Sequence, residues 1–207
     1  MKKELTEYWL DARKSLLGEA VTHAGEYEVK TKLGSLLLRG ELSCIGDTFL
    51  FHTASKKSDA KEFQLAIQSA FAAIAMPRVK RSVAVFWEEG KPVQGEPLKI
   101  KKANEVFLKT LATLYLQYRE HGLPFQSDVS LKYKEEYQDS DRDEWDSSIN
   151  KAWEGDSYAG GSAGIIGDIQ SVAFYMSEQR LLDENFLQTA STVTNAWKQW
   201  SEAEVQV

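Results

Sequence analysis

Asp139, Asp141 and Asp143 alternate as the first ligands of a calcium loop do. The sixth place of such a loop needs glycine for its sharp turn, and here it is Glu144. The twelfth needs a bidentate glutamate and is Asn150, so the run reads as an exposed acidic connector. Gly160, Gly161, Gly164 and Gly167 resemble a phosphate cradle, but a P-loop carries Gly-Lys-Ser/Thr before its helix. No lysine occurs from Ala152 to Leu187, so these glycines read as a turn. His23, His52 and His121 are scattered, with no HExxH or CxxC spacing to make a zinc site and no GxSxG elbow.

Two other groupings carry more. Arg78, Lys80 and Arg81 precede one expected strand, and Lys99, Lys101 and Lys102 follow the next. If those strands are antiparallel neighbours, both clusters meet at one sheet end and form a local phosphate-binding patch, a candidate DNA-binding surface. The second grouping is the stretch LLRGELSCIGDTFLFHTASKK, from Leu37 to Lys57, which reads as two strands around a tight turn. Its inward places are expected to hold Ser43, Phe51 and Thr53, and Glu41 is expected on the wrong side relative to Ser43.

The elements that position these residues follow from periodicity. Leu5, Trp9, Ala12 and Leu16 step as one face of a helix ending near Gly18. Tyr27, Val29, Leu36, Leu38 and Leu42 alternate with polar neighbours, as half-buried strands do, with turns at Gly34 and Gly46-Asp47. Asp59 with Glu62 reads as a capping box opening a helix whose stripe is Phe63, Ile67, Ala70, Phe71 and Ile74, stopped by Pro77. VAVFW, 83–87, reads as a buried strand, with Pro92 to Ile100 returning beside it. Phe107, Leu111, Leu114, Tyr115 and Tyr118 mark another helix, closed by Gly122. The last helix carries Phe186, Ala190, Val193, Trp197 and Trp200. The order predicts an α/β or α+β layer with mixed strand pairing, the helix over 59–75 serving as the crossover. One domain is expected over 1–207: an α/β core at 1–122, an acidic connector at 123–146 and a helical extension at 147–207.

Bulk properties set limits. The formal net charge is −6, whereas free-standing nucleic-acid binders are usually basic, so the chain is not expected to grip DNA alone. The single cysteine, Cys44, has no partner within the chain and reads as a small buried hydrophobe, which together point to a cytoplasmic setting. No apolar run is long enough to span a membrane.

The Leu37–Lys57 stretch resembles the hairpin of PD-(D/E)xK nucleases, in which a Gly-x-x-Asp strand precedes an Asp-x-Lys strand and a helix with an early glutamine. Gly40-Glu41-Leu42-Ser43 is similar to the first piece, Phe51-His52-Thr53 to the second, and Gln64 to the helix glutamine. Aligned so, Ser43 and Phe51 stand for the two acids and Thr53 for the lysine. Magnesium takes hard oxygen ligands with one or two carboxylates, so this set has no expected metal, cofactor or catalysis. The chain also resembles the C-terminal domain of the gamma subunits of bacterial exodeoxyribonuclease V, the RecC family of RecBCD complexes. The likeness runs over about residues 5–200 through LGSLLLRGELSCIGDTFLF, EFQLAIQSAFAAIA, LPFQSDVSLKY and INKAWEGDSYAGG, with Trp153-Glu154-Gly155 its most specific part. The resemblance implies a restriction-endonuclease-like core with a C-terminal helical extension. It also implies a non-catalytic role in DNA repair and recombination. The expected partners are RecB-like and RecD-like helicase subunits and, through the complex, a duplex DNA end. An active nuclease with displaced acids, drawing on Glu41, Asp47 and Lys56, is the alternative.

Overall fold

A computed structural model describes residues 14, 18–53, 55–120, 130, 131 and 184–205. The expected first helix, the acidic connector, the glycine-rich stretch, the AWEGD region, His121 and Gly122 lie outside them. The chain divides into two compact units, Met1–Thr113 with Gln199–Val207, and Leu114–Lys198.

The first unit is built on a mixed sheet. Strands β1 (Val21–Thr31), β2 (Gly34–Ile45), β3 (Thr48–His52), β4 (Arg81–Glu88) and β5 (Lys91–Gln94) lie side by side in that order, and β6 (Leu98–Lys99) also pairs with β4. All neighbours are antiparallel except β3 and β4, which are parallel. A parallel pair needs a crossover, and helix α1 (Asp59–Ala75) supplies it. This is an α+β fold with a C-terminal helix, as the order of elements predicts.

Local chemistry explains each element. Along β1, Gly25, Tyr27 and Val29 face the interior while Glu26, Glu28 and Lys30 face water, the period-2 pattern of a half-buried strand. Glu26 lies opposite Arg39, and their side chains meet at 2.8 Å. The β2–β3 connection is the two residues Gly46 and Asp47, and Gly46 takes φ 61°, the positive φ that a primed hairpin turn requires at its first central place. Helix α1 is capped by Ser58, whose side chain accepts from the Lys61 backbone N–H at 3.4 Å. The expected cap was Asp59. Asp59 is instead the first helical residue, where its charge complements the helix dipole, and Glu62 turns to Lys57 at 3.0 Å. The Glu62 carboxylate, by hydrogen bond and by charge, raises the Lys57 pKa above 10.5.

Phe63, Leu65, Ala66, Ala70, Phe71 and Ala72 bury one face of α1, while the expected Ile67 and Ile74 are half-buried flanks. Helix α2 (Asn104–Tyr118) buries Phe107, Leu108, Ala112 and Leu114, but Tyr115 is 52% exposed and does not join the stripe assigned to it. Helix α3 (Glu184–Glu202) buries Phe186, Ala190, Val193 and Trp200 and leaves Trp197 half-buried. Phe107 stacks on Trp200 with centroids 5.6 Å apart and meets Phe63 edge-on at 6.2 Å. The buried Trp200 indole N–H donates to Asn104 Oδ1 at 2.8 Å. Among the described residues no helix is long and apolar enough to cross a membrane.

Candidate functional site

Strands β2 and β3 pair at only two positions, Cys44 opposite Phe49 and Ile45 opposite Thr48. Beyond them the strands part, and a pocket of about 240 Å³ opens between them beside α1. Glu41 and Ser43 line it from β2, and Lys61, Gln64 and Gln68 line it from α1. Five consecutive residues, Phe49 to Thr53, form the third wall. Successive side chains alternate faces, so a continuous run lines a pocket through the strand's own edge.

This pocket gathers Ser43, Phe51, Thr53 and Gln64, the four positions aligned to nuclease chemistry. Two details differ from the sequence reading. Glu41 does line the pocket, because residues two apart on a strand share a face, and it stands on the same side as Ser43. Ser43 also projects to the opposite face from Phe51 and Thr53. Cys44 lies directly across from Phe49, so Phe49, Phe51 and Thr53 share the Cys44 face and Ser43 does not. Parting of the strands is what lets both faces reach one opening. Phe51 is 4% exposed, with its ring tilted against Phe86 at 6.4 Å.

The hydrogen bonds of the lining decide what chemistry remains. Lys61 Nζ donates to Gln64 Oε1 at 3.4 Å, and the amide's NH₂ is left to donate. Thr53 Oγ1 accepts from the Ser55 N–H at 3.3 Å, which leaves its O–H to donate. Ser43 Oγ lies 3.5 Å from Thr22 Oγ1. Glu41 is the only carboxylate of the lining, and a single acid with neutral hydroxyls is a poor magnesium ligand set. Among the described residues no group of three or more His, Cys, Asp or Glu side chains is placed to hold a metal ion. Asp47 and Lys56, the other residues of the active-nuclease alternative, are absent from the lining, and Asp47 sits 3.8 Å from Arg81 Nε.

No family model, curated protein or solved structure matches this chain.

A second feature lies at one end of the sheet. Strands β4 and β6 are antiparallel with Arg81 directly opposite Lys99, so the two basic clusters meet. Like charges directly opposite one another on a sheet are unfavourable. Partners inside the chain answer most of this charge. Arg78 bonds the Nε2 of His23, and since guanidinium only donates, that nitrogen is the acceptor. Arg81 donates to Thr48 Oγ1 at 2.8 Å. Lys101 Nζ donates to the Ser201 and Ala203 carbonyls at 2.9 and 3.3 Å, satisfying the end of α3, and Lys102 pairs with Glu204 at 2.7 Å. Lys80 and Lys99 are exposed, and their side-chain ammonium groups make no hydrogen bond or ion pair among the described residues. Sequence reasoning named all six cations together. The division into tethering and open cations needed contacts 100 and 102 residues away, which no local pattern signals.

Cys44 is free and buried at 2% exposure, as a small hydrophobe, and burial pushes its thiol pKa up against the opposing pull of Arg78.

Proposed function

We propose that this chain is a non-catalytic, nuclease-like interaction domain of a RecBCD-type DNA double-strand-break repair complex. In this reading it contacts a RecD-like helicase subunit alongside a RecB-like one and helps position or split the duplex DNA end. The observation that carries the reading is the pocket. It sits in the fork of a β-ribbon beside a crossover helix and holds Ser43 and Phe51 at the positions the resemblance aligns to a nuclease's two acids, and Thr53 at the position aligned to its lysine. The meeting of Arg81 and Lys99 supports a phosphate-contacting edge, with Lys80 and Lys99 as its open cations. Such contacts are sequence-independent and weaken with salt. The net charge of −6 suits a domain that draws DNA affinity from its partners.

Two measurements test the reading. Co-purification of the chain with the RecB-like and RecD-like subunits of its own cell is expected to yield a stable assembly, and no association sinks the proposal. In that assembly, Lys80→Ala with Lys99→Ala is expected to weaken binding of a fluorescent duplex end and to flatten its salt dependence by about two phosphate contacts.

An active nuclease is the second reading, favoured by the presence of Glu41 and Lys61 in the same pocket. It requires magnesium- or manganese-dependent cleavage of linear DNA that disappears in Glu41→Ala.

A further inference from the structure

We infer that the fork pocket binds a phosphate-bearing ligand that also presents an N–H group, the chemistry of a single nucleotide. The inference rests on the nucleic-acid reading above and assigns its pocket a ligand. The lining offers the Lys61 ammonium as its cation and, close by on α1 and β3, the Gln64 NH₂ and the Thr53 hydroxyl as donors. A cation with two neutral donors suits a phosphate oxygen cluster, and charge-assisted hydrogen bonds are the strong kind. Glu41 on the β2 wall has the opposite character. It accepts only, and it forms no ion pair with Lys61 or any other described residue.

A bare anion would gain from Lys61 and be repelled by Glu41. A ligand with phosphate at one end and an N–H at the other satisfies both, and every nucleobase carries such a donor on its edge, with carboxylates accepting from cytosine N4 the familiar case. The pocket's volume of about 240 Å³ and its open mouth suit one nucleotide unit rather than a stacked run. Phe51 forms part of the apolar wall, with its ring tilted against Phe86.

The test uses the full chain and follows the Gln64 and Gln68 side-chain amide resonances during titration. Deoxycytidine 5′-monophosphate is expected to shift them saturably. Deoxycytidine, which lacks the phosphate, and deoxyribose 5-phosphate, which lacks the base, are each expected to bind about tenfold or more weakly, as befits loss of a hydrogen bond to a charged group. Lys61→Met is expected to reduce nucleotide affinity to that of the nucleoside, and Glu41→Ala to that of the sugar phosphate. Glu41 is exposed within β2 and Lys61 lies half-buried in the first turn of α1, and circular dichroism checks that the variants fold. Competition by a 5′-phosphorylated oligonucleotide for the same resonances identifies a strand end as the source, whereas its failure to compete identifies a free nucleotide. Absence of a saturable shift, or inorganic phosphate binding as well as the nucleotide, overturns the inference. Failure of the nucleotide with duplex-end binding intact sinks the pocket alone. Loss of duplex-end binding with nucleotide binding intact sinks the interaction-domain reading and leaves the pocket standing.

Discussion

Gly25 and Gly40 lie directly opposite one another on β1 and β2, beneath α1, and their substitution by alanine is expected to have opposite consequences. A Cβ on Gly25 would come to 2.7 Å from Leu42 Cδ1 and 3.3 Å from both Ala75 Cβ and Phe71 Cζ. Leu42 is 2% exposed, so its methyl has little free volume to rotate into, and Ala75 is fixed to the helix backbone. Overpacking of this kind costs about 1–3 kcal/mol. Neither glycine has a left-handed φ, so alanine is conformationally acceptable and restricts the unfolded chain, a gain of about 0.4–1 kcal/mol. Gly25→Ala is therefore expected to lose about 1–2 kcal/mol. A Cβ on Gly40 would meet only Phe71 Cε1, at an ordinary 3.5 Å, so Gly40→Ala keeps the entropic gain and is expected to be neutral or up to about 1 kcal/mol more stable. Urea unfolding followed by tryptophan fluorescence measures both differences from the shift in midpoint at unchanged slope. Equal stability of the two variants would refute the close seating of α1 on the β1–β2 ribbon. That seating also aims Lys61, Gln64 and Gln68 at the pocket, so the same variant is expected to weaken any ligand bound there.

Other expectations concern buried polar groups. The hydroxyls of Ser69 and Ser82 are buried without hydrogen-bond partners, so Ser69→Ala is expected to stabilise by about 1 kcal/mol or more, seen as a raised urea midpoint. Asn104→Ala strands the buried Trp200 indole N–H and is expected to cost about 1–3 kcal/mol on the same assay. Tyr27 has its pKa raised above 10.0, first by burial and then by the charge and hydrogen bond of Glu105. The folded state thus holds its phenolic proton longer than the unfolded state does. Its contribution to stability is complete below pH 10.0 and falls as pH rises from there through the raised folded value. Absorbance titration at alkaline pH is expected to show a late-ionising tyrosine that is missing from Tyr27→Phe, and an unchanged titration curve would contradict the burial.

Much of the fold was written locally. Alternation from Tyr27 to Leu42, a positive-φ glycine at each turn and the spacing of Phe63, Ala70 and Phe71 each act within a few residues, so they are readable in order along the chain. Even the parallel pairing of β3 and β4 follows from a helix lying between two strands. The cap of α1 shows where local reading slips: Ser58 and Asp59 are both good cap residues, and one residue of register separates them. Tyr115 had the right spacing for burial and is exposed, because a helical stripe is buried only where something packs against it.

The site depended on longer distances. That Glu41 and Lys61 share a pocket follows from β2 leaving β3 after two residue pairs, a divergence with no marker in either strand. That Arg81 faces Lys99, and that Lys101 and Lys102 are spent on the end of α3, depends on segments up to 102 residues apart. Residue type and period are properties of the chain, and they set which elements form and which face each turns inward. Where two strands part, and which charges are left without a partner, are properties of packing among remote elements, and these make the pocket and the basic edge.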